Sequence, residues 1–341
     1  MHFNLIEVQK MKILVTGSRG FIGKELVKEL NQRNYEVKEF DLESGQNLLN
    51  EKQVREAVKG CDIIIHLAAI ISDEFPKEKI FSVNVKGTES LLEASAKEKI
   101  KKFIFLSTAG VYSPVKGKAN EKSGLRPQTN YEKSKVEAEG LVNRYQEIFP
   151  VIILRPALVL GPNIYWKQII SVIKKDFPLI GEGKNKFQVI YWKDLVQAIV
   201  FCLKEEKTEN EAFNVAEENP KTLREIIEFI RKELGMKGKI KTIPAWLGTI
   251  IAYFYITINL FSKKKGLLIP AHIKRLTKER FYDSSKLMKL GWKPKYGTEE
   301  ALLETIKELL FNVNKMNGLL KGIKMNSVKA QHEALKIRSK V

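Results

Sequence analysis

From Met11 onward, short unbroken apolar runs alternate with longer stretches whose apolar residues recur every three or four positions. That alternation predicts β-α-β units around a parallel sheet. Lys12–Thr16, Glu36–Asp41, Ile63–Leu67, Lys102–Ser107 and Val151–Arg155 are the expected strands. Gly23–Asn31, Val54–Lys59, Val83–Ala96 and Asn130–Glu147 are the expected helices between them. Continuous rather than alternating apolarity in the strands means that helices cover both faces of the sheet. The expected fold class is therefore α/β, a doubly wound parallel sheet.

After Gly161-Pro162 the pattern loosens, and Asn163–Lys186 is punctuated by Gly and Pro. Phe187–Tyr191 and Asp194–Leu203 predict one returning strand and helix, and Leu223–Leu234 and Thr298–Phe311 two amphipathic helices. The expected organisation is an extension (1–10), a sheet domain (11–162, with return elements at about 187–204), a smaller, mostly helical C-terminal cap (163–186 and 205–311) and a basic tail (312–341). The tail lacks a firm apolar stripe and is expected to fray.

Charge changes the picture only locally. The formal net charge is +19, but residues 263–280 and 312–341 each carry seven basic residues against one acidic, so +12 of it lies in 48 residues. No helix-turn-helix, zinc-finger or aromatic RNA-binding signature accompanies these patches, and no nucleic acid partner is expected. Two cysteines, Cys61 and Cys202, exclude a disulfide framework, and four scattered histidines give no metal constellation. With no secretory signal visible in the first ten residues, a reducing cytoplasm is the expected compartment.

The chemistry begins at Thr16-Gly17-Ser18-Arg19-Gly20-Phe21-Ile22-Gly23, which joins the first strand to the first helix. Glycines alone mark many turns. Here they stand between a strand and a helix with an acid downstream, the context a dinucleotide site requires. Gly17 allows a tight turn, Gly20 a close approach of backbone to pyrophosphate, and Gly23 close packing of helix on sheet, with Phe21 and Ile22 beneath. The helix N-terminus offers N–H groups and a partial positive charge to phosphate. Asp41 ends the second strand, where a carboxylate accepts from the adenosine ribose and repels a 2′-phosphate. NAD is expected rather than NADP, although the Arg19 guanidinium is suited to the extra phosphate.

Tyr131 and Lys135 stand four apart, hence on one helix face. A phenol with a pKa of about 10 is a poor base at neutral pH. An adjacent ammonium lowers that value, and Tyr131 could then accept a proton from a substrate hydroxyl as hydride leaves its carbon. Lys135 is also placed to hold the nicotinamide ribose. Ser107-Thr108 ends the fourth strand, at the edge where open parallel sheets bind ligands, so Thr108 can orient the reacting oxygen.

In these residues the chain resembles the extended short-chain dehydrogenases/reductases, the NAD-dependent epimerase/dehydratase family, whose fold is of the Rossmann type. Further matching segments are Asp62 with His66-Leu67-Ala68-Ala69, Asn84-Val85-Lys86-Gly87-Thr88, Leu106-Ser107-Thr108, Pro127, Arg155-Pro156, Gly161-Pro162, Trp192-Lys193-Asp194-Leu195 and Leu290-Gly291-Trp292-Lys293-Pro294. The resemblance implies Thr108, Tyr131 and Lys135 as the catalytic set. It implies cofactor contacts from Gly17, Ser18, Arg19, Gly20, Phe21, Ile22, Gly23, Asp41, Asn47, Leu48, Leu67, Ala68, Ala69, Asn84, Ser107, Tyr131, Lys135 and Pro156. It also implies a homodimer paired through the helices near Val83–Ala96 and Asn130–Glu147. Two positions depart from the family pattern. Asn47-Leu48 replaces Asp plus an aliphatic residue, and Lys193 replaces Val. An Asn oxygen still accepts from the adenine amino group.

Substrate signals are sparser. Where sugar-nucleotide epimerases show an aromatic-Asn pair before Gly-Pro, this chain has Leu158-Val159-Leu160. Lys186 stands near the place of a diphosphate-binding arginine and meets a phosphate as a point charge, or is simply a surface lysine. Residues 242–262 carry no charge, 13 of the 17 residues in Ala245–Phe261 are apolar, and Lys263-Lys264-Lys265 follows. Such a stretch is a buried cap helix, a peripheral membrane contact through 245–265, or a marginal span. The leading expectation is an epimerase/dehydratase acting on a secondary alcohol of a sugar nucleotide. The alternatives are a 3β-hydroxysteroid-dehydrogenase-like enzyme for a hydrophobic alcohol and a non-catalytic, membrane-associated NAD-binding scaffold.

Overall fold

The computed structural model describes residues 10–112, 117–248, 250 and 276–322, with side chains to Phe311. In chain order the elements are β1 (Lys12–Thr16), α1 (Phe21–Gln32), β2 (Glu36–Phe40), α2 (Glu51–Val58), β3 (Ile63–His66), α3 (Lys77–Phe81), α4 (Gly87–Glu98), β4 (Lys102–Leu106), α5 (Asn130–Arg144) and β5 (Val151–Pro156). There follow β6 (Leu158–Leu160), α6 (Ile164–Lys174), β7 (Leu179–Ile180), β8 (Val189–Tyr191), α7 (Trp192–Lys204), β9 (Glu211–Val215), α8 (Leu223–Glu233), β10 (Thr242–Ile243), α9 (Ser285–Lys289) and α10 (Thr298–Gly322). A π-type turn, Ser82–Lys86, joins α3 to α4.

The main sheet is parallel throughout, in the order β2-β1-β3-β4-β5-β9. The chain runs outward from β1 to β2 and then crosses to β3, so the order reverses between β1 and β3. Ligands bind at such a switch point, outside the carboxyl ends of the strands. One apolar layer packs Leu26, Leu30, Val196 and Ile199 from α1 and α7 on one sheet face. On the other, Val54, Leu91, Leu92, Ala138 and Val142 from α2, α4 and α5 cover Ile64, Phe103 and Phe105.

The chain divides into two compact units. The first comprises 1–159, 186–220 and 278–295, and the second 160–185, 221–277 and 296–341. This differs from the expectation that the cap takes all of 205–311. Residues 211–215 form β9, which extends the main sheet beside β5, and Ser284 Oγ donates to Ala216 O. In the second unit β7 pairs with β10, α6 packs on α8, and α8 on α10. The helix starting at Thr298 continues past Phe311 to Gly322, longer than the sequence pattern suggested. Residues 1–9, 113–116, 249, 251–275 and 323–341 lie outside the described residues, so most of the apolar run, most of the first basic patch and the end of the tail do too. Among the described residues no helix is long and apolar enough to cross a membrane.

Candidate active site

Gly17 turns the chain at the end of β1 with φ +71°, a conformation that favours glycine. A Cβ there would lie 2.8 Å from Ala68 N, so the segment after β3 is brought against the turn by the absence of a side chain. At Gly23 a Cβ would lie 2.0 Å from Gly17 O, which makes glycine a condition of the turn itself. Leu67 N and Ala68 N donate to Thr16 O and Oγ1 at 3.1 and 3.4 Å, tying the ends of β1 and β3 together. His66 completes this seam, with Nδ1 2.6 Å from Thr16 Oγ1 and Nε2 2.9 Å from Thr88 Oγ1. Burial, and then the charge of Lys135, push its pKa down to about 3, so it stays neutral.

The helix that follows the turn is open to an anion. Gly20 caps α1 without a side-chain hydrogen bond, and no carboxylate occupies its first turn. Ser18 Oγ is buried and meets no hydrogen-bond partner among the described residues. Asp41 lies beside the turn, its Oδ2 accepting from Arg19 N at 3.0 Å and its Oδ1 from Glu43 N at 2.8 Å. Phe21 stands edge-on to Trp192, with ring centroids 6.1 Å apart, and Ile22 packs on the core. An orphaned buried hydroxyl, an uncapped helix N-terminus and a carboxylate at the end of β2 fit a dinucleotide.

Other expected cofactor residues have internal work. Asn47 is exposed, and its Oδ1 accepts from Leu49 N at 3.0 Å. Leu48 is buried and fills the space beside Gly87, where a Cβ would be 2.9 Å away. Asn84, in the π-type turn, accepts from Ile70 N at 2.7 Å and donates to Ile70 O and Ser134 Oγ at 3.0 and 2.9 Å. It therefore braces the loop after β3 against α5. Pro156 is buried at the end of β5.

A capping box fixes the first turn of α5. Thr129 Oγ1 accepts from Glu132 N at 3.2 Å, and Glu132 Oε2 accepts from Thr129 N at 3.0 Å. Tyr131 sits inside that turn, half-buried, its N–H donating to Asp73 Oδ1 at 3.0 Å. Sequence reasoning missed Asp73, a carboxylate favourably placed at a helix N-terminus. Glu132 also borders Thr108: a Cβ on Gly110 would meet Glu132 Oε1 at 3.1 Å and Thr108 Oγ1 at 3.3 Å. So Thr108, half-buried just beyond β4, lies beside the turn that carries Tyr131.

Lys135 is buried, with Nζ 4.3 Å from the centre of the Phe105 ring. Burial pushes its pKa down to about 7, against the opposing pull of Glu139. Glu139 is buried too, accepting from Ser107 Oγ at 2.5 Å and from Arg155 Nε and Nη2 at 3.0 and 2.6 Å. Arg155 Nη1 donates to Tyr112 OH at 2.6 Å, which lies 2.9 Å from Asn214 Oδ1. Glu139 and Arg155 were not expected in the site. The available signal was spacing, since Glu139 stands four residues beyond Lys135 on the same helix face.

The structure brings Gly17, Gly20, Gly23, Asp41, Ala68, Ser107 and Pro156 to the carboxyl ends of β1–β5, with Thr108, Tyr131 and Lys135 at the same edge. Lys186 has different partners. Its Nζ is 3.4 Å from Pro220 O, and its carbonyl accepts from Arg280 N at 2.9 Å. Among the described residues no cluster of His, Cys, Asp or Glu is placed to hold a metal ion.

The sequence profile of the NAD dependent epimerase/dehydratase family matches residues 13–216. An Escherichia coli protein named N-acetyl-alpha-D-glucosaminyl-diphospho-ditrans,octacis-undecaprenol 4-epimerase is 23% identical over 313 residues, covering 86% of this chain and 94% of its own. The Arabidopsis thaliana 3beta-hydroxysteroid-dehydrogenase/decarboxylase isoform 1 is 25% identical, covering 86% and 78%. Among solved structures, the UDP-glucuronic acid 4-epimerase of Bacillus cereus in complex with NAD superposes with a TM-score of 0.71 at 24% identity, over 89% of this chain and 99% of that one.

Proposed function

Because the chain belongs to the NAD-dependent epimerase/dehydratase family, we propose that Tyr131 takes the proton from a secondary hydroxyl of a sugar nucleotide during an NAD-dependent oxidation. NAD, when bound, supplies the hydride acceptor. Gly17, Gly20 and the α1 N-terminus hold its diphosphate, and the Asp41 carboxylate its adenosine ribose. One observation carries the reading: a buried lysine lies one helical turn beyond a half-buried tyrosine, in a helix whose first turn is locked by a capping box beside Thr108.

Thr108 orients the reacting oxygen through its hydroxyl. Tyr131 receives the proton as a phenolate whose charge is favoured by the Lys135 ammonium. The Glu139 carboxylate favours the charged form of Lys135 in a site where burial opposes it. Arg155 and Ser107 in turn hold that carboxylate in place.

Oxidation of a hydrophobic secondary alcohol is the second reading. It is favoured by the relative named for a hydroxysteroid dehydrogenase, matched over 86% of this chain. The outcomes separate by stoichiometry. Epimerisation leaves no net redox change, whereas oxidation of an alcohol to a ketone leaves one reduced cofactor per turnover. Incubating the protein with NAD and a panel of UDP- and dTDP-sugars, with product chromatography and nicotinamide absorbance, is expected to show conversion without accumulation of reduced cofactor. Stoichiometric reduction with an apolar secondary alcohol, and none of the sugars converted, would replace the first reading by the second.

A further inference from the structure

In the second unit, the chain approaches β10 through Lys237, Lys239 and Lys241, all three exposed. Lys241 Nζ lies 3.4 Å from Asp176 Oδ2, while Lys237 and Lys239 meet no carboxylate among the described residues. After β10 and Pro244 the backbone is helical over residues 245–248. Gly248 packs inward, and a Cβ there would lie 2.7 Å from Ile180 Cγ2 of β7. Two residues of helix is a rotation of about 200°, so the positions on either side of Gly248 at that spacing point the other way. They are Trp246 and Ile250, 66% and 55% exposed. Phe177, just before β7, is exposed as well, at 53%.

A tryptophan and an isoleucine one turn apart, turned away from the body of their own unit and preceded by a row of solvated lysines, match the arrangement of a bilayer interface. The indole seats at headgroup level, the aliphatic residue enters the acyl boundary, and the ammonium groups meet lipid phosphates. The sequence repeats the arrangement: residues 242–262 carry no charge, and Lys263-Lys264-Lys265 closes the stretch as Lys237, Lys239 and Lys241 open it. We propose that the Trp246/Ile250 face, with Lys237 and Lys239, docks on an anionic lipid surface. A second copy of the chain is the poorer occupant, because a two-fold contact through this face sets the same lysine row against itself. The proposal does not depend on the enzymatic reading.

The test is sedimentation of the full-length protein with vesicles of phosphatidylcholine containing phosphatidylglycerol, and with phosphatidylcholine alone. Binding is expected to the anionic vesicles, weaker by about fivefold for each of Lys237→Gln and Lys239→Gln, and reduced on raising the salt. Trp246→Ser combined with Ile250→Ser should lower the partition about tenfold or more while leaving circular dichroism and NAD affinity unchanged. Bromine-labelled lipids should quench an emission component that Trp246→Phe removes, since Trp166 and Trp292 are buried and Trp192 half-buried. No binding to anionic vesicles, or binding that the Trp246/Ile250 double variant leaves intact, overturns the proposal. So does self-association in sedimentation velocity that the double variant abolishes without any lipid dependence.

Discussion

Lys135 sits where two requirements oppose each other. The proposed reaction wants an ammonium beside Tyr131, and the packing around α5 disfavours any charge, which lowers its pKa to about 7 from an ordinary 10.5. From about pH 7 to 10.5 the unfolded chain still binds a proton that the folded chain has released, so this group makes stability rise with pH across that window. Lys135→Met should therefore stabilise the cofactor-free protein most at pH 7 and below, with the gain shrinking toward pH 10, while turnover is lost. Thermal melts of the two proteins across that range check it. His66 gives the acidic counterpart. Its folded pKa of about 3 lies below the usual 6.5, so stability falls as pH drops from 6.5 toward 3. In His66→Gln, denaturant titrations should show a shallower loss over the same interval.

Between elements, the buried Glu139–Arg155 pair joins α5 to β5. Removing one partner leaves a buried charge unpaired, so Glu139→Gln should cost about 3–5 kcal/mol of stability. It should also move the Lys135-dependent limb of the pH–rate profile toward lower pH, because the carboxylate that raises that pKa is gone. A merely structural role would leave the limb in place. The glycine turn makes a similar demand: Gly17→Ala places a methyl against Ala68 N at a positive φ. Calorimetry should find NAD binding lost or weakened by at least tenfold in this variant.

For the molecule as a whole, β1, β3, β4 and β5 were readable because each carries an unbroken apolar run, as in Ile63–Ile65 and Val151–Leu154, whereas β2, Glu36-Val-Lys-Glu-Phe, was legible only from its place in the alternation of strands and helices. β9 was not. Glu211-Ala-Phe-Asn-Val interrupts its apolar residues with Asn214, and its place in the main sheet comes from tertiary partners, the pairing with β5 and the Tyr112–Asn214 hydrogen bond among them. The glycine turn and the Tyr131/Lys135 pair were legible because spacing along one element defines them. The Glu139–Arg155–Tyr112 network was not, since its partners come together only through tertiary packing. The outward face at Trp246 was hidden for a different reason: a run that is apolar at nearly every position gives no hint of which side is buried.

The central claim is that Tyr131 is the proton acceptor in an NAD-binding site at the sheet's carboxyl edge. The most direct measurement pairs calorimetric NAD affinity with turnover for Tyr131→Phe, using whichever substrate the parent protein converts. The account predicts an unchanged NAD affinity and a loss of about 100- to 10,000-fold in kcat. Turnover within a few fold of the parent's, with NAD still bound, would contradict it.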